Sequence, residues 1–345
     1  MQPRAALHVL VALSITLVLA AACGGGGGSD DDPTPGGPTA TSGPPPTSPN
    51  VGLDVCAGAH EVLGNVASAE LTEISGLAAG RANDGVLWAH NDSGDTARVF
   101  ALGRDGGLLA TYNLTGAEAV DWEDMAIGPG PDSGVDYLYL ADMGDNAAMR
   151  PEIVIYRVPE PEVPITTAIA APAIDLSGVE RLAFTYPDGP HDAETLLIDP
   201  LLEEMFILTK DLQPNTTSIY SAPTAVEPGE SVTLSMVGQL DMARLQSGVI
   251  LPPDAPQLPR AIPALPTGGD VSRDGDLIAL RTYSTVWFWR RSGQSPLINS
   301  FNRAPCEGPT QIEEQGEAIA IDPDGRGYIT VSEGVNPPLN HFGAP

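Results

Sequence analysis

Lysine is nearly absent from this chain. Lys210 is the only one in 345 residues, and Lys and Arg together number 16 against 45 Asp and Glu, a formal net charge of −29. With so few bases nothing could neutralise a run of phosphates, which argues against nucleic-acid binding. Aromatics make up 5% and cysteines number 3. The sequence holds no His-Glu-x-x-His, Gly-x-Ser-x-Gly or P-loop pattern, which removes most support for zincin, serine-hydrolase and nucleotide-hydrolase readings. What the chain has in quantity is 38 Gly, 34 Pro and 42% hydrophobic residues. That hydrophobic content is too high for wholesale disorder, and so many turn-formers break up long helices. The composition describes an acidic, turn-rich, mostly β globule.

The only long apolar run lies near the start. Arg4 precedes residues 9–22, VLVALSITLVLAAA, which is too short for a permanent membrane span of about 20 residues and reads as a signal peptide over 1–22. The stretch Leu19-Ala20-Ala21-Ala22-Cys23 resembles a bacterial lipobox. That resemblance implies cleavage before Cys23, diacylation (palmitate) of its sulfur, and membrane attachment through that lipid. Residues 23–54 are rich in Gly, Pro, Ser and Asp and carry too little apolar surface for a core, as suits a tether. Gly24 after the cysteine, by resemblance to lipoprotein sorting, would not retain the protein at an inner membrane. The expected location is therefore the bacterial cell envelope, extracytoplasmic, at an outer membrane or cell surface. Cys56 and Cys306 then remain, an even number in an oxidising compartment, and a disulfide between them is expected, with two free thiols as the alternative.

Residues 55–345 repeat. The stretch from Ile74, ISGLAAGRANDGVLWAHNDSGDTARVFALGRDG, aligns with the stretch from Trp122, WEDMAIGPGPDSGVDYLYLADMGDNAAMRPEIVIYRV. Asp92-Ser93-Gly94-Asp95 matches Asp142-Met143-Gly144-Asp145, with Arg98 and Arg150 downstream. Weaker copies occupy 193–222, 267–290 and 316–342. Each supplies three β-like segments, and residues 108–114, 181–186, 231–240 and 295–301 supply a fourth. Repeating four-stranded units describe an all-β propeller, most simply of five blades; six blades or a β-sandwich are the rivals. The fifth copy stops after its third strand, and residues 60–66 are left to close it as the outer strand, with Cys56 just before them. A monomer is expected.

In such a ring the first strand of each blade lines the central channel. Ser75, Glu123, Glu194, Thr267 and Glu317 occupy matching positions there. Second-strand ends add Asp92, Asp142, Lys210 and Glu333, with Arg281 or Tyr283 according to register. Converging carboxylates raise one another's pKa unless a cation compensates, and oxygen ligands favour Ca²⁺ or Mg²⁺ over zinc. Asp145 beside Asp142 could add a further ligand. Asp92, Lys210, Arg281 and Glu333 are candidates for holding a bound ligand, Lys210 by gripping an anionic group or pairing with Glu194. His90 and His191 lie next to rim positions as candidate bases. A wet, ion-free channel and a turn-forming role for the D-x-G-D pair are the competing readings.

The segments EDMAI (from Glu123), LADMGDN (from Leu140) and GEAIAIDPDGRGYITVSEG (from Gly316) resemble those of secreted phytase-like and SMP-30-like calcium-binding propellers. That resemblance implies Ca²⁺ held by Glu123, Asp142, Glu194 and Glu317, with hydrolysis of a phosphate ester or lactone as an accompanying activity. Two functions follow as expectations. One is a lipid-anchored propeller whose acidic rim binds a metal and recognises a small anionic or envelope ligand. The other is a metal-dependent hydrolase in which a rim cation activates water and Lys210 or Arg281 holds the substrate.

Overall fold

A computed structural model of the chain describes residues 54–164, 172–210, 216–246 and 265–343. The expected signal peptide, Cys23 and nearly all of the tether lie outside the described residues. No described helix is long and apolar enough to cross a membrane.

Five antiparallel blades, each built on four strands, surround a common axis. Blade 1 holds Ile74–Ala79, Val86–Asn91, Arg98–Gly103 and Leu108–Leu114 from inside to outside. Blade 2 holds Trp122–Pro129, Asp136–Asp142, Ile153–Pro159 and Glu180–Thr185, and blade 3 holds Ala193–Asp199, Glu204–Thr209, Thr216–Pro223 and Ser235–Asp241. Blade 4 holds Pro266–Val271, Leu277–Thr282, Val286–Arg290 and Cys306–Gly308. Blade 5 combines Gly316–Ile321, Gly327–Ser332 and Pro338–Gly343 with Ala59–Asn65 from the other end of the chain. The five inner strands touch in ring order, blade 5 against blade 1 included.

Sequence and position agree strand by strand. Inner strands such as ISGLAA, PTGGDV and GEAIAI are rich in Gly and Ala and wholly buried, because strands converging on an axis leave little room for side chains. The outer strand Ala59–Asn65 is mostly exposed. Five apolar clusters fill the spaces between neighbouring blades. Trp88 and Trp122 sit between blades 1 and 2, and Trp287 and Trp289 between blades 3 and 4.

The expected closure of blade 5 is present: Ala59–Asn65 pairs antiparallel with Pro338–Gly343, His60 opposite Phe342. Cys56 and Cys306 form a disulfide with Cα atoms 6.1 Å apart. Cys306 lies on the outer strand of blade 4, which directly precedes the first strand of blade 5. The bridge therefore ties blade 4 to the turn that enters blade 5.

Two of the four expected outer segments fold differently. Residues 295–301 do not form the outer strand of blade 4; Leu297–Asn302 is a 3₁₀ helix and Cys306–Gly308 takes that place. Pro296 (φ −50°) starts the turn, and Asn299 N–H donates to Pro296 C=O (3.0 Å) and Arg303 N–H to Ser300 C=O (3.0 Å), consuming groups a ladder would need. The three-residue spacing buries Leu297 and Ser300 together. Residues 231–240 divide: Ser231–Thr233 lies parallel along Glu180–Thr185 of blade 2, while Ser235–Asp241 completes blade 3. Buried Leu234 sits between the two pieces.

That division belongs to a pattern. In each blade, the segment that leads into the fourth strand leans on the blade before it. The blade 2 connection adds Ile174–Leu176 in parallel to Leu108–Leu114 of blade 1. In blade 3, Ser231–Thr233 does the same on blade 2. The 3₁₀ helix of blade 4 sets Ile298 against Gly238 of blade 3. For blade 5, Asp54–Ala57 buries Val55 among Leu277, Val286 and Phe288 of blade 4 and adds the disulfide. Blade 1 has only a tight turn there, and its Gly106 C=O accepts from Ala67 N–H (3.0 Å), just past the outer strand of blade 5.

Candidate functional site

Every inner strand carries an irregularity at one repeated place. Pairing with the second strand skips Ser75 in blade 1, Glu194 in blade 3, Thr267 in blade 4 and Glu317 in blade 5. In blade 2 it skips two residues, Glu123 and Asp124. A bulge re-aims the skipped side chain, and here it does so at the end of the ring where inner strands begin and second strands finish. These are the five positions matched by sequence, and each is 4% exposed or less. We call this end the mouth.

The second strands bring the other partners, with an offset of one residue. Ile74 pairs with Asn91, Trp122 with Asp142 and Gly316 with Ser332, so Asp142 corresponds to Asn91 and not to Asp92. The residues at this position do a common job. Asn91 Oδ1 accepts from the N–H groups of Thr72 and Glu73 (3.2 and 3.1 Å). The Asp142 carboxylate accepts from Val120 and Asp121 N–H (3.3 and 3.1 Å), and Ser332 Oγ from Gln315 N–H (2.9 Å). Each latches the loop that leads into its inner strand. Asp142 also pairs with Arg150 at 2.8 Å, and Asp145 accepts from Met149 and Arg150 N–H, both at 2.6 Å. Of the expected metal ligands, these two carboxylates are thus engaged in shaping the blade 2 loop.

Next along the second strands come Asp92, Lys210, Tyr283 and Glu333, which meet at the mouth. Asp92, Asp121 and Glu123 form the tightest group: one oxygen from each lies within 4.8 Å of the others. Asp121 was not among the sequence candidates. It lies in the loop latched by Asp142, and its only sequence signal is the acidic run Asp121-Trp122-Glu123-Asp124. Gly144 crosses above the group; a Cβ there would come within 2.1 Å of Glu123 Oε1 and 2.5 Å of Asp121 Oδ2. Only glycine leaves the carboxylates in place.

Burial and mutual repulsion mark the whole mouth. Burial first, then Glu317 and Asp121, push Asp92 up to about 7, against a backbone hydrogen bond from Ser93. Glu123 is raised well above the carboxylate range by burial and by Asp92, with Lys210 opposing. Asp121 rises through burial and the nearby Asp192. Glu333 is pushed up to about 9 by burial and by Glu317. Glu194 stands apart from this group because it forms an ion pair with Lys210, whose ammonium also lies 5.2 Å from the Tyr283 ring centroid. Arg281 is turned away into blade 5, where its guanidinium pairs with Glu313 and donates to Ala318 and Val331 C=O.

Deeper in the ring, carboxylates serve the fold. Asp124 accepts from its neighbour Met125 N–H (2.8 Å), from Leu196 N–H of blade 3 (2.9 Å) and from Gly269 N–H of blade 4 (3.2 Å). One side chain thus satisfies backbone donors from three blades. Asp270 likewise accepts from Val271 and Ile321 N–H (both 2.7 Å). His90 is wholly buried, edge-on to Trp122 at 5.3 Å, and burial lowers its pKa so that it stays neutral. His191 lies in a cluster with Tyr186, Tyr220 and Asp188. Neither histidine belongs to the carboxylate group.

No family model matches this chain, and no curated protein matches it. Among solved structures, it is similar to that of Raptor from Chaetomium thermophilum, at 10% identity and a TM-score of 0.41. The similarity covers 82% of this chain and 29% of that one, so this chain spans less than a third of its length.

Proposed function

We propose that this protein is an envelope-anchored propeller that binds a divalent cation at its mouth and, through it, an envelope or environmental ligand. The observation that carries the reading is the convergence of Asp92, Asp121 and Glu123, three oxygen donors within 4.8 Å of one another. They come from blades 1 and 2, and two of them lie so close under Gly144 that an added methyl group there would displace them. Oxygen-only donors suit Ca²⁺ or Mg²⁺. Asp92 and Asp121 are only half-buried, so a cation would keep part of its coordination sphere open to water or ligand. That open side also favours a second reading, metal-dependent hydrolysis of a phosphate ester or lactone, in which bound water is the nucleophile.

Calorimetric titration of the full chain with Ca²⁺, and separately with Mg²⁺, tests the first reading. Binding that falls at least about tenfold, a difference of about 1.4 kcal/mol, in both Glu123→Gln and Asp121→Asn is expected. Heat equal to that of buffer would refute it. A screen of the loaded protein against phosphate esters and lactones then separates hydrolase from binder. The anchor rests on the lipobox-like sequence at Cys23. Cys23→Ser should move the protein from the membrane to the soluble fraction, and continued membrane association would refute the lipid anchor.

A further inference from the structure

The end of the ring opposite the mouth, where the inner strands finish, holds a cavity of about 250 Å³, counting the solvent at its opening. Its lining comes from the last residues of the inner strands of blades 1, 2, 4 and 5 or from the turns just after them. Pockets for drug-sized ligands occupy about 300–1,000 Å³, so this one suits an ion or a small polar molecule. In a chain with 16 bases, two arginines line it, Arg81 from blade 1 and Arg273 from blade 4.

The hydrogen-bonding capacity left over in this lining belongs mainly to donors. Asp270 is 6% exposed, and its two oxygens accept from Val271 and Ile321 N–H, both at 2.7 Å. Asp322 Oδ1 accepts from Arg104 Nη1 at 2.7 Å, and its Oδ2 lies 2.7 Å from His341 Nε2. Ser272 Oγ donates to Asp274 Oδ1 (2.6 Å) and accepts from Leu277 N–H (2.9 Å). The arginines are less committed. The Arg81 side chain is 5% exposed, yet of its guanidinium nitrogens only Nη1 has an acceptor, Asp136 Oδ1 at 3.1 Å. Arg273 is exposed and has no hydrogen bond or ion pair among the described residues. A guanidinium so far out of solvent with unmet donors is costly unless water or an acceptor meets it, and its planar fork matches an oxyanion.

We infer that this cavity binds a small oxyanion, a carboxylate or a phosphate-type ion, with Arg81 as its buried donor and Arg273 as its exposed one. The site lies at the other end of the ring from the carboxylate mouth and needs no metal. Calorimetric titration of the full chain with inorganic phosphate, and separately with acetate, tests it. Chelator in the buffer keeps any cation at the mouth from recruiting the anion. Saturable binding of at least one of the two is expected, weakened at least about tenfold in Arg273→Gln and in Arg81→Gln, since each removes a charged donor. Circular dichroism checks that both variants fold, and the exposed Arg273 carries the test if Arg81→Gln, which also loses the Asp136 pair, does not. Tighter binding of phosphate would assign the site to phosphate-type ions, and tighter binding of acetate to carboxylates. Heat equal to that of buffer for both anions, or binding unchanged in Arg273→Gln, would overturn the site whatever the mouth does with Ca²⁺.

Discussion

Asp92 shows how one side chain couples folding to protonation. Burial and the neighbouring Glu317 and Asp121 raise it from 3.8 to about 7, and Glu333 rises from 4.5 to about 9. A folded-state pKa above the unfolded value means that the folded chain keeps a proton the unfolded chain releases. The stability these groups contribute is thus full below about pH 4 and lost as pH rises through about 7 and then about 9. The metal-free chain, kept in chelator, should therefore show falling urea midpoints between about pH 5 and about pH 9. Saturating Ca²⁺ should flatten that fall, because the cation replaces the protons. A midpoint that rises over this range without metal would show that the mouth carboxylates are not held protonated. The same competition predicts that Ca²⁺ affinity drops on acidification, about tenfold per pH unit for each proton displaced.

Individual elements explain what could be read beforehand and what could not. Ser75, Glu123, Glu194, Thr267 and Glu317 were legible because inner strands recur with similar sequence, and a repeated bulge holds them in equivalent places. The alignment of Asp92 with Asp142 was one residue out because both D-x-G-D stretches make acidic turns, while strand register depends on pairings that turn composition does not encode. Asp121 was missed since loops from different blades converge only in three dimensions. The outer strand of blade 4 was misplaced because apolar spacing in residues 295–301 suits a 3₁₀ turn as well as a strand, and Pro296 decides between them. The leaning of the segment before each fourth strand on the preceding blade has no short-range signature at all. Its clearest instance is the bridge between Cys56 and Cys306, 250 positions apart. Cys306→Ser should destabilise the protein by about 2–5 kcal/mol in urea unfolding, far more than a lost surface contact. An unchanged midpoint would mean that strand pairing alone holds the ring shut.

At the scale of the whole molecule, the charge of −29 is unevenly used. Some carboxylates latch loops or satisfy backbone donors across the axis, as Asp142 and Asp124 do, and others gather unpaired at the mouth. The gathering draws on blades 1, 2 and 5, and blade 5 takes one strand from the early part of the chain and three from the end. Glu317 lies on the first strand of blade 5 and Glu333 just past the second, in the blade that Ala59–Asn65 completes at its outer edge. An incompletely closed chain would present Asp92 without its blade 5 neighbour Glu317, and so with less to push its pKa up. The protonation of Asp92 would then report on closure: a carboxyl there nearer its ordinary range would mark an unfinished ring.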